Sequence, residues 1–84
     1  MQNFTRRIVV EGFSLRFFFH KMYTVKGISF HISVVDRNNR SHFFNMEQSA
    51  SGWRIVNAPK VPEWLIRTEQ QLAEAIEEEL ANRS

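Results

Sequence analysis

Between residues 13 and 55 the apolar side chains recur on alternate positions, and beyond Pro62 the interval becomes three or four residues. A period of two places successive side chains on opposite faces of a strand, whereas a period near 3.6 lines one face of a helix. The chain therefore reads as strands followed by a helix. Ile28, Phe30, Ile32 and Val34 alternate with Ser29, His31, Ser33 and Val35. His42, Phe44 and Met46 alternate with Phe43 and Asn45, and Trp53 and Ile55 with Arg54 and Val56. Upstream, Phe13, Leu15, Phe17, Phe19, Tyr23 and Val25 share one parity, broken only by Lys21. This predicts one long strand, or two joined by a bend near His20-Lys21. Residues 8 to 10 form a further short strand, with Glu11-Gly12 as its turn.

The register between strands follows from which faces must be apolar. A two-residue loop at Asn38-Asn39 would pair Val34 with Phe43 and Ile32 with Asn45, turning Phe44 and Met46 to the wrong side. A three-residue loop over residues 37 to 39, with Asn39 left-handed and a bulge, pairs Val34 with His42, Ile32 with Phe44 and Phe30 with Met46. That gathers the apolar set on one face. The same counting sets Met46 opposite Trp53 and Phe44 opposite Ile55. A tight turn at Lys26-Gly27 likewise sets Val25 opposite Ile28 and Tyr23 opposite Phe30.

Pro62 suits a first helical position, where no N–H is required. Glu63 beside it favours the positive end of the helix dipole, and Arg83 suits the negative end. Leu65, Leu72, Ile76 and Leu80 fall in one stripe, with Val61 before it, Thr68 beside it and Trp64 at its margin. Arg67, Gln70, Gln71, Glu74, Glu77 and Glu78 take the opposite face. The expected fold is α+β: one domain over residues 1–84, an antiparallel meander of four to five strands with one C-terminal amphipathic helix of about five turns packed on one face.

A chain of 84 residues buries only ~60–65% of the surface its unfolded form exposes, so the core is small. Eight Phe among 13% aromatic residues mean that large rings fill it. The absence of cysteine excludes a disulfide framework and a thiolate zinc site, and fits a reducing compartment. Arg6 and Arg7 precede Ile8, Val9 and Val10, and Glu11 follows at once, so the start lacks a run of signal-peptide length. No stretch approaches 18 consecutive apolar residues. The expectation is a cytoplasmic protein with no membrane span. The net charge of +2 divides unevenly. Residues 1–60 hold nine Lys/Arg against three acids, and residues 61–84 hold two against six Glu; one reading is an anion-binding surface, and the plainer expectation is two different secondary structures whose charges partly attract each other.

Residues 28–80 carry VVDRNNRSHFFNM, then GWRIV, then VPEWL ahead of LAEAIEEEL. This run, about two-thirds of the chain, resembles a group of small uncharacterised bacterial proteins. The resemblance implies the meander and helix and brings no activity with it.

An enzyme needs convergent titratable groups, and few are present. The sole aspartate, Asp36, sits in a turn where capping is its expected role, and the three glycines are scattered through turns, so no loop cradles phosphate. His31 and His42 flank the polar turn, but on opposite parities, so they cannot share a metal. Of the helix carboxylates, Glu69 and Glu79 lie nearest the stripe. Glu69 would need a basic partner such as His42 or a sheet Lys or Arg; a side chain reaching out to solvent is the plainer expectation. No catalytic, metal or cofactor residues are assigned. The outward parity carries Phe18, Met22, Val35, Phe43 and Val56, too apolar a set to stay wholly wet on a face no helix covers. This points to a non-enzymatic protein-interaction module, paired with a second copy as a homodimer. Arg7, Arg16, His31 and Arg54 share that parity with Phe18 and Phe43, which supports the alternative of a nucleic-acid-binding surface that grips phosphates and stacks bases.

Overall fold

Five strands follow one another in sequence and in space, each antiparallel to the next. The computed structural model describes residues 3–82. It contains β1 (Asn3–Val10), β2 (Phe13–Thr24), β3 (Gly27–Val35), β4 (Ser41–Ser49) and β5 (Gly52–Ile55). A 3-10 turn at Ala58–Lys60 leads to α1 (Glu63–Ile66) and α2 (Glu69–Ala81). This is the α+β meander with C-terminal helical cover that the periodicity predicts. The run from residue 13 is a single twelve-residue strand with no bend at His20-Lys21.

The β3–β4 hairpin has the register expected: Val34 faces His42, Ile32 faces Phe44 and Phe30 faces Met46. Asn39 is left-handed, with φ of 65°, the Asn39 N–H bonds to the Asp36 carbonyl, and the Asp36 N–H bonds to that of Arg40. The Asp36 carboxylate accepts from the N–H groups of Asn38 and Arg40, so the lone aspartate does cap this turn. The β1–β2 turn is also as expected, with Glu11 and Gly12 both at positive φ between the paired Val10 and Phe13.

Two registers differ from the counting, each by two residues. Met46 pairs with Ile55 and Trp53 with Gln48. Tyr23 pairs with Ile28 and Lys21 with Phe30. Both hairpins have the same local cause, a Ser/Thr-x-x-Gly turn. Thr24 Oγ1 accepts from the Lys26 N–H and donates to the Gly27 carbonyl. Ser49 Oγ does the same with the Ser51 N–H and the Gly52 carbonyl. The glycine thus closes the turn instead of occupying its centre, and its positive φ opens the next strand. A shift of two preserves side-chain parity, so the faces stay correct although the neighbours change.

The inner face holds the core. Phe17, Phe19, Phe30, Ile32, Val34, Phe44, Met46, Trp53 and Ile55 are buried against Leu65, Leu72, Ala75 and Ile76. A chain of rings crosses the sheet: Phe4 stacks on Phe19 at 4.4 Å between centroids, and Phe30 meets Phe4, Phe19 and Trp53 edge to face. Tyr23, near the end of β2, and Val25, in the turn that follows it, share the inner parity in the sequence but are exposed.

The helix is broken once. Thr68 has φ −90° and ψ 0°, and its N–H and Oγ1 both bond to the Leu65 carbonyl, the hydroxyl at 2.6 Å. This tightened turn divides the expected five-turn rod into α1 and α2. The polar face is as predicted, with Arg67, Gln70, Gln71, Glu74, Glu77 and Glu78 exposed. Arg6 of β1 pairs with Glu78 at 2.7 Å and Arg54 of β5 with Glu69 at 3.4 Å, so α2 is tied to both edges of the sheet. The expected role of Arg83 at the helix end falls outside the described residues.

Candidate binding face of the sheet

The face away from the helix is organised in rows running across the strands. Thr5, Phe18, Ser33 and Phe43 make one row, paired strand to strand. Asn3, His20, His31 and Asn45 make the next. Met22, Ser29, Glu47 and Arg54 make the third. On the far side of the Phe18 row, Arg7 stands directly opposite Arg16. Each row lies ~7 Å from its neighbour, two residues along a strand.

The residues expected on this face lie there with different exposures. Phe43 is 66% exposed and Phe18 47%, and Val35 is also exposed. Met22 and Val56 are half-buried. Val9 adds a further exposed apolar side chain beside Arg7. The small Ser33 between Phe18 and Phe43 leaves the two rings standing two strands apart, ~10 Å. Shallow open depressions flank His31: one of about 230 Å³ lined by Thr5, Phe18, His20 and Ser33, and one of about 270 Å³ lined by Phe43, Asn45, Val56 and Lys60.

The basic residues divide in their availability. Arg54 is committed, its guanidinium meeting Glu69 and the Ser51 hydroxyl. Arg7 and Arg16 are exposed and, among the described residues, have no ion-pair partner. Like charges directly opposite on a sheet destabilise it by ~0.2–1 kcal/mol.

His31 and His42 face opposite sides, as their parities require. The His31 ring stacks at 6.0 Å on Phe43, and its Nδ1–H donates to Asn45 Oδ1 at 2.8 Å. On the inner side His42 Nε2 meets Asp36 Oδ2 at 2.8 Å, and its ring stands edge to face with Trp64. The bond to His42, then the N–H of Arg40, hold the Asp36 carboxyl below the usual carboxylate range. This pair joins the β3–β4 turn to α1, a structural link.

Glu69 does not reach out to solvent as the plainer expectation had it. Its Oε2 accepts from the Ile55 N–H at 2.8 Å and its Oε1 meets Arg54, a sheet arginine. Ile55 is the last paired residue of β5, an edge strand with no neighbour on its other side, and the first turn of α2 supplies the acceptor for its N–H.

The residue that counting missed is His20. A turn centred on Lys26-Gly27 puts His31 opposite Met22, whereas the actual turn puts it opposite His20. The Thr24-x-x-Gly27 signature was the available signal.

Among the described residues no group of three or more His, Cys, Asp or Glu is placed to hold a metal. No helix among them is long and apolar enough to cross a membrane. Compared with known protein families, curated proteins and solved structures, the chain matches none.

Proposed function

We propose that the protein is a non-enzymatic interaction module whose outer sheet face takes a second copy of the same chain. The observation that carries this reading is the exposure of Phe18, Val35 and Phe43 together on the sheet face opposite the helix. The face measures roughly 24 by 25 Å from strand spacing and rise. Two such faces bury on the order of 1,200 Å², at the lower bound for a stable interface. Rings separated by small Ser and Thr side chains leave troughs that a second, identical face can fill.

The unpaired Arg7–Arg16 juxtaposition favours a second reading, single-stranded nucleic acid. A phosphate between the two guanidiniums relieves their repulsion, and Phe18, two residues from Arg16, offers a base-stacking ring ~7 Å away.

Sedimentation velocity separates the two, run on the protein alone and with mixed-sequence single-stranded DNA and RNA at low and high salt. A dimer at tens of micromolar that Phe43→Ser dissociates, with no nucleic-acid uptake, supports the module. Salt-sensitive co-sedimentation abolished by Arg16→Glu supports the second reading instead. A monomer that binds neither refutes both.

A further inference from the structure

We propose that His20 and His31 form a two-imidazole site for a divalent transition-metal ion on the outer face. The two residues are directly paired across β2 and β3, and Thr24–Gly27 closes the same hairpin. Hydrogen-bonded and open pairs alternate from that closing pair, which makes His20–His31 a hydrogen-bonded pair with Cα atoms ~5.5 Å apart. Both side chains leave the sheet on one face, with Cβ atoms ~4.5–5.5 Å apart. Two imidazole nitrogens at 2.0–2.1 Å from a tetrahedral ion are themselves about 3.3 Å apart, within reach of side chains that start so close.

The Asn45 carboxamide oxygen can only accept, so this bond selects the neutral His31 tautomer with its proton on Nδ1. That leaves the lone pair on Nε2, the arrangement in which an outer partner orients a ligating histidine. Among the described residues His20 has no hydrogen bond or ion pair competing for its ring. The depression of about 230 Å³ beside the pair leaves room for the solvent or added ligands that complete the coordination sphere.

The ligand chemistry selects the class of ion. Two neutral nitrogens suit Cu²⁺, Ni²⁺ and Zn²⁺, with Cu²⁺ tightest, and not Mg²⁺ or Ca²⁺, which demand oxygen. With two protein ligands the site is open, of the exchanging kind, unlike a closed structural zinc centre. The site uses residues of one chain only, but it lies in the row beside Phe18 and Phe43, so the titration is run below the protein concentration at which sedimentation shows a dimer, and its outcome is then separable from that of the pairing proposed above.

The test is a Zn²⁺ titration of the full chain, followed by two-dimensional correlation of the imidazole nitrogens with their ring protons. The ring signals of His20 and His31 are expected to move together and saturate at one ion per chain, while those of His42 stay fixed and EDTA reverses the change. His20→Gln, at a half-buried surface position that should fold normally, abolishes the response of His31. Asn45→Ala weakens binding about tenfold. Equal response of all three histidines, no response at all, or unchanged His31 affinity in His20→Gln would overturn the proposal.

Discussion

Replacing Glu69 tests whether its carboxylate supports the end of the sheet. Its Oε2 accepts the Ile55 N–H at 2.8 Å with the side chain only 24% exposed. A hydrogen bond to a charged acceptor contributes about 1.5–3 kcal/mol, and its removal leaves a backbone donor at the end of β5 without a partner. The contact with Arg54 adds less, since that side chain is 58% exposed and the separation is 3.4 Å. Glu69→Ala should therefore destabilise the fold by about 2–3 kcal/mol. At this chain length that lowers Tm by roughly 10–20 °C. Glu69→Gln keeps an acceptor and loses the charge, so it should cost about 1 kcal/mol. Arg54→Ala should cost no more than about 0.5 kcal/mol. Urea denaturation of the three variants gives the ranking, and amide exchange at Ile55 should rise most in Glu69→Ala. If Arg54→Ala proves as damaging as Glu69→Ala, or if Ala and Gln at position 69 are equivalent, the bond to Ile55 is not what this carboxylate contributes.

Three further outcomes follow from the packing and the turns. Phe30→Ala removes the ring that meets Phe4, Phe19 and Trp53, and should destabilise by about 3–5 kcal/mol in chemical denaturation, a large part of the stability of so small a domain. Glu11→Gly relieves a non-glycine residue held at φ 51° and should stabilise by about 1 kcal/mol, read as a higher denaturation midpoint at unchanged slope. The Asp36 carboxyl is held below its ordinary value by the His42 bond and then by the Arg40 N–H. A folded-state pKa below the unfolded one contributes stability that is present above the unfolded value and lost as pH falls through the folded value. Acid denaturation should therefore show a component below the ordinary carboxylate range that Asp36→Asn abolishes; an unchanged acid profile would contradict the link.

The element types and faces could be read because both depend on parity. Alternation between residues 28 and 55 sorts the side chains, and core formation accepts only the parity with Phe30, Ile32, Phe44 and Trp53 inward. A register error of two residues leaves every face intact, which is why the misplaced turns at Thr24 and Ser49 did no harm to the architecture. They did harm to the site. The neighbours of His31 depend on the absolute register, and so the His20–His31 pair stayed hidden while the apolar outer face did not.

Sequence alone determined the meander, the helical cover, the inward rings and the exposed set at Phe18, Val35 and Phe43, because periodicity and burial are properties of single strands and helices. Only the tertiary structure decided that Glu69 turns inward to Ile55, that Thr68 breaks the helix, that β1 runs back past the expected residues 8–10 to Asn3 so that Arg7 meets Arg16, and that His20 faces His31. Each of these depends on a hydrogen bond or a pairing between chosen partners, and partner choice is settled by turn geometry and packing that no period in the chain encodes.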